Sequence, residues 1–107
     1  MRPKLLDLFC CAGGAAMGYH QAGFDVVGVD INPQPHHPFH FIQGDALEFL
    51  NTYWMHYDAF HASPPCQGYS RTKSLHSNDY PKLLPDVRSA LTETGRPYVI
   101  ENVMGAP

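Results

Sequence analysis

Five short apolar runs, separated by turn signals and helical stretches, constrain this chain more than any other feature. They follow the rhythm of a parallel sheet covered by helices. The runs are Lys4 to Phe9, Val26 to Asp30, Phe39 to Gln43, Tyr57 to Ala62 and Pro97 to Glu101. Between the first two, Ala15 to Gln21 reads as a short helix, with Gly23 placed to cap its end. Asp45 can cap a second helix over Ala46 to Tyr53, in which Leu47, Leu50 and Trp54 stand at helical spacing. Pro81 to Thr94 reads as a third helix ended by Gly95, and Pro85 offers a start inside it because proline suits a first helical turn. The expected fold is therefore α/β, with a doubly wound, mostly parallel sheet.

At 107 residues the chain is one domain with one modest core. A hydrophobic share of 44% and a charged share of 16% are ordinary for a globular protein. No run approaches the roughly 18 apolar residues of a membrane span. After Met1-Arg2-Pro3-Lys4, Asp7 and Gly13-Gly14 interrupt any signal-like segment, so a cytoplasmic protein without a membrane partner is expected. The net charge of −3 hides an asymmetry. No Lys or Arg lies between Lys4 and Arg71, while Asp7, Asp25, Asp30, Asp45, Glu48 and Asp58 all do. The first two-thirds thus cannot be a nucleic-acid footprint, whereas Arg71 and Lys73 stand in a polar run where phosphates could be met. Cys10, Cys11 and Cys66 lack the C-x-x-C spacing of zinc or redox sites, so neither a disulfide framework nor a metal site is expected.

Each unusual motif directly follows an apolar run, and in doubly wound sheets ligands sit beyond the carboxyl ends of the strands. After Phe9 comes Cys10-Cys11-Ala12-Gly13-Gly14, whose small residues permit a tight turn and close approach of a ligand near a helix N-terminus. Asp30 follows Gly13 by 30 − 13 = 17 positions, near the spacing of an acid that binds ribose hydroxyls. Gly44-Asp45 follows the third run, and Asp45 can both cap a helix and meet a ligand. Ser63-Pro64-Pro65-Cys66-Gln67-Gly68-Tyr69-Ser70 holds a cysteine behind two prolines, a stiff placement that suits a nucleophile better than a core residue. An ordinary thiol has a pKa of about 8.5, so neighbours or substrate must assist it. Glu101-Asn102-Val103 puts a carboxyl at the end of an apolar strand, where desolvation would favour a proton donor. His36, His37 and His40 read as exposed loop histidines, and Tyr53, Trp54 and Tyr57 as core packing in preference to base stacking.

Together these residues resemble the cytosine-5 DNA methyltransferase family. Asp7-Leu8-Phe9 through Gly13-Gly14 to Gly18 is similar to its first motif, Pro65-Cys66-Gln67 to its catalytic motif, and Glu101-Asn102-Val103 to its Glu-Asn-Val motif, in the family's order across residues 1–107. Cys11 departs from the pattern, standing where the family usually has a glycine. The resemblance implies a Rossmann-like sheet of about five strands, incomplete at its C-terminal edge, and S-adenosylmethionine as cofactor. Phe9, Gly13, Gly14, Asp30, Ile31, Asp45, Ala46 and Pro65 would hold that cofactor. The thiolate of Cys66 would add to C6 of a cytosine flipped from double-stranded DNA, with Glu101 hydrogen-bonding or protonating N3. Gln67, Ser70, Arg71 and Lys73 would meet the DNA.

Later family features, a Gln-x-Arg-x-Arg motif and a target recognition region, have no counterpart in residues 1–107. The expectation is a partial catalytic domain, completed by a missing C-terminal part or a second polypeptide. Three other readings stay open. A relative acting on cytosine in transfer RNA would carry the same Cys66 and Glu101. A non-catalytic cofactor-binding fragment would share the acidic first two-thirds, and a dinucleotide oxidoreductase would share only the glycine turn and Asp30.

Overall fold

The computed structural model describes residues 2–10, 13–64 and 80–101. Its elements run β1 (Lys4–Leu8), α1 (Gly14–Gln21), β2 (Asp25–Asp30), β3 (His40–Gln43), α2 (Ala46–Tyr53), a 3-10 turn (Trp54–His56), β4 (Ala59–Ala62), α3 (Tyr80–Thr94) and β5 (Tyr98–Ile100). The five strands form one sheet in the order β3-β2-β1-β4-β5, with every pairing parallel. The order reverses between β1 and β4, the place where such sheets hold ligands.

Alternation along the strands sorts the core into two layers. Leu6, Leu8, Val29, Phe60 and Ala62 face α2 and α3, where they pack with Leu50, Val87 and Leu91. Leu5, Val26 and Ala59 face the other way, against Ala16 of α1. Gly23, with φ 105°, ends α1, and Arg2 donates to the carbonyls of His20 and Gly23, satisfying and electrostatically complementing that end. Asp45 caps α2 as expected, its Oδ1 accepting from the Glu48 N–H at 2.9 Å. Gly95, with φ 70°, ends α3.

Three expectations shift. The third helix starts at Tyr80 and carries Pro85 inside it, losing one backbone donor there without ending. Tyr53 is 45% exposed, although it stacks on Phe49 at 4.7 Å, while Tyr57 is buried and Trp54 packs on the core. The reason is the 3-10 turn, which rotates the chain after Tyr53. Arg96 stabilises that turn, donating to the carbonyls of Trp54, Met55 and Tyr57 while its guanidinium lies 5.0 Å from the Trp54 ring.

The third shift concerns His37, which is half-buried and not a free loop residue, although His36 and His40 are exposed. Its ring packs where Gly28 and Gly13 offer no side chain. A Cβ on Gly28 would lie 2.5 Å from His37 Nε2 and 2.8 Å from Cys10 Sγ. Gly28→Ala is therefore expected to cost roughly 1–3 kcal/mol in chemical denaturation, the usual scale of overpacking. Gly44→Ala, which meets nothing within 4 Å, should cost less than half as much.

Candidate active site

Backbone hydrogen bonds tie the carboxyl ends of all five strands into one rim. Cys10 N–H donates to Val29 O at 3.1 Å, Ser63 N–H to Leu8 O at 3.2 Å, Gly44 N–H to Asp30 O at 2.9 Å and Glu101 N–H to Ala62 O at 2.8 Å. Phe9, Asp30, Ile31, Asp45, Ala46, Ser63 and Glu101 consequently stand on the same edge of the sheet. Phe9 occupies the left-handed region at φ 58°, where a side chain costs roughly 1–2 kcal/mol. The chain then turns through Gly13, at φ 94°, whose N–H donates to Cys10 O at 3.0 Å and whose carbonyl accepts the first helical bond of α1. Asp30 is buried at the rim and accepts from the Asn32 N–H at 3.0 Å. Pro65, Cys66, Gln67, Ser70, Arg71 and Lys73 lie outside the described residues.

On the α1 side, strand register aligns Phe41, Gly28, Asp7, His61 and Val99 in one row across the sheet. Asp7 is 1% exposed, and its Oδ2 has no hydrogen-bond partner among the described residues. Burial, reinforced by the nearby carboxylates of Glu101 and Asp30, raises its pKa to about 7. The desolvated carboxyl of this site is therefore Asp7. The burial expected at Glu101 is not found, because that side chain is 63% exposed at the open rim. The carboxylates of Asp30 and Glu101 lie near enough to act on the ionisation of Asp7, and no Lys or Arg occurs from residue 5 to residue 70.

His61, buried in β4, connects the row to the rim. Its Nδ1 lies 2.8 Å from the Tyr19 hydroxyl, and its Nε2 lies 3.0 Å from Ser63 Oγ and 3.3 Å from Glu101 Oε1. Ser63 also donates to Glu101 Oε1 at 3.4 Å. Burial pushes the pKa of His61 down against the opposing pull of the Glu101 carboxylate, and burial with the Asp7 and Glu101 charges pushes that of Tyr19 up. Sequence reasoning missed His61 and Tyr19. The available signal was a single titratable residue among the apolar residues of β4, Ala59–Ala62.

The family described as C-5 cytosine-specific DNA methylase matches residues 3–106 of this chain. The chain belongs to that family. Type II methyltransferase M.AgeI of Thalassovita gelatinovora is 29% identical over 95% of this chain and 28% of its own length. M.XorII of Xanthomonas oryzae pv. oryzae is 33% identical over 97% of the chain and 29% of its own length. M.AquIA of a Picosynechococcus strain is 32% identical over 98% and 50%. The chain thus spans between about a quarter and a half of these relatives. The all-parallel α/β sheet is the one the methyltransferase resemblance implies, and no described helix is long and apolar enough to cross a membrane.

The perturbed carboxyl makes stability pH-dependent in a defined sense. The unfolded state releases the Asp7 proton near the ordinary aspartate value of 3.8 and the folded state holds it until about 7, so the stability from this group falls as pH rises through that window. Asp7→Asn is expected to leave stability at pH 4 nearly unchanged and to raise it by roughly 1–3 kcal/mol at pH 8, read from denaturant midpoints at both pH values.

Proposed function

We propose that this chain forms the cofactor-binding and catalytic part of an enzyme that methylates C5 of cytosine in DNA. The observation that carries the reading is the adjacency of β1, β4 and β5, because in the sequence the glycine turn follows β1, Pro65-Cys66-Gln67 follows β4 and Glu101 follows β5. Family membership supports the same assignment.

S-adenosylmethionine fits the described residues. Its sulfonium and ammonium groups are cations, matching the acidic rim and the Oδ2 of Asp7 that has no partner among the described residues. Phe9, Gly13 and Gly14 would hold the methionine part, Asp30 and Ile31 the ribose, and Asp45 and Ala46 the adenine, with Pro65 closing the site. The strained Phe9 backbone and the left-handed Gly13 keep the turn open to close approach. When bound, the cofactor supplies an electrophilic methyl group.

C5 of cytosine is a feeble nucleophile until addition at C6 breaks the ring's conjugation. Cys66 is the soft nucleophile for that addition, and Glu101, exposed at the rim, hydrogen-bonds or protonates N3 on the other side of the ring. Neither group reaches a stacked base, so the cytosine is flipped out at a cost of about a few kcal/mol. Gln67, Ser70, Arg71 and Lys73 supply polar and basic groups that would contact the DNA. The region that reads DNA sequence is supplied from outside residues 1–107, in the same polypeptide or a second one.

Incubation with S-adenosylmethionine and a duplex carrying 5-fluorocytosine tests this. The chain is assayed alone and mixed with a polypeptide bearing the Gln-x-Arg-x-Arg motif and a recognition region. A covalent protein–DNA adduct is expected in the mixture, and its absence from both arms overturns the reading. Adduct formation on transfer RNA alone changes the substrate. Cys66→Ser should abolish the adduct and change cofactor Kd by less than about twofold, whereas Asp30→Ala should weaken the cofactor by about tenfold or more and spare the thiol. Equal loss of cofactor binding in both variants overturns the division of roles.

A further inference from the structure

The methyl-transfer reading gives no role to His61, yet its two ring nitrogens are both engaged at the rim. It is 5% exposed, and the titratable groups around it are Asp7 on β1, Tyr19 on α1 and Glu101 after β5. Hydrogen-bond accounting assigns its proton. The single proton of the Ser63 hydroxyl goes to Glu101 Oε1, so the His61 Nε2 that lies 3.0 Å from Ser63 Oγ and 3.3 Å from Oε1 must carry the hydrogen. Nδ1 is then an acceptor, and the Tyr19 hydroxyl, 2.8 Å away, donates to it. Ser63 sits between them, accepting from Nε2 at 3.0 Å and donating to Oε1 at 3.4 Å. Every donor in the chain Tyr19, His61, Ser63 therefore points toward one oxygen of Glu101.

We infer that His61 is a positioning residue for Glu101. Oriented by Tyr19, its Nε2–H and the Ser63 hydroxyl pin Oε1 and leave Oε2 as the oxygen presented to the cytosine. The inference rests on the reading that Glu101 is the group that meets the base. Tyr19 is itself fixed by edge-on contacts with His61 at 5.3 Å and with Phe24 at 5.8 Å, so the imidazole is held from the helix side. Burial keeps the imidazole neutral at neutral pH, the state in which one nitrogen donates and the other accepts.

Two readouts decide this. In the full chain with nitrogen-15-labelled histidine, long-range proton–nitrogen spectra near pH 7.5 should show His61 with hydrogen on Nε2 and a bare Nδ1. Hydrogen on Nδ1 overturns the inference, whatever the enzyme's activity. In methyl transfer from S-adenosylmethionine to an unmodified cytosine duplex, measured with the same protein mixture, His61→Leu should lower kcat roughly tenfold, with the Kd for S-adenosylmethionine within about twofold of the parent. His61→Gln, whose amide N–H can replace Nε2–H, should restore most of that rate. A full rate in His61→Leu, or equal loss in both variants, overturns the positioning role. Ser63→Ala, which removes the second donor, should lower kcat about threefold, and an unchanged rate there counts against the inference even if His61→Leu fails to fold. If the parent protein forms no adduct, the methyl-transfer reading falls, and the proton position on His61 alone decides the hydrogen-bond network.

Discussion

β1 is hydrogen-bonded on both sides, to β2 and to β4, and the rest of the molecule follows from that double pairing. A strand flanked on both sides and covered on both faces would ordinarily be apolar throughout. Leu5, Leu6 and Leu8 meet that requirement, while Asp7 stands among them in the same five-residue strand. Because β4 lies beside β1, Asp7 shares a row with His61, and the acid and the imidazole occupy the sheet where the strand order reverses. Two polar side chains in a row otherwise open to hydrophobic packing are costly to desolvate, and burial displaces the proton affinities of both.

The cost is concentrated where ligand chemistry is expected. Asp7 has an oxygen without a partner among the described residues, and Phe9 holds a backbone conformation that non-glycine residues avoid. A fold selected only for stability would replace both, since an apolar residue at 7 and a glycine at 9 would relieve them. Their coincidence at one strand end, beside the left-handed Gly13, fits a site whose charge and shape are set for a cationic ligand. Missing side chains matter as much as those present. Gly28 leaves the space into which Cys10 and His37 pack, so the loop between β2 and β3 is seated on the sheet by a side chain that is not there.

The opposite face is ordinary and does the stabilising. Leu6, Leu8, Val29 and Phe60 pack with Leu50, Val87 and Leu91 from α2 and α3, and each fully buried aliphatic or aromatic side chain contributes roughly 1.5–3 kcal/mol. This separation of labour explains why the site can carry strain. The polar row lies under α1, with a smaller apolar cluster of Leu5, Ala16, Val26 and Ala59, while the larger core lies across the sheet from it.

Local pattern alone determined the five strands, the α/β class, the cap at Asp45 and the helix ends at Gly23 and Gly95, because these depend on contacts within a few residues of sequence. The places of the glycine turn, Asp30 and Glu101 at the carboxyl ends of strands were legible for a similar reason, since strand ends need no pairing information to be found. Only tertiary structure decided which strands are neighbours, and with that the row of Asp7 and His61, the burial of Asp7 in place of Glu101, and the seating of His37 against Gly28. Desolvation and hydrogen-bond partners come from residues far apart in the chain, 42 positions for Tyr19 and His61. Periodicity is blind to them, since a buried histidine and an exposed one occupy the same place in the alternation of a strand.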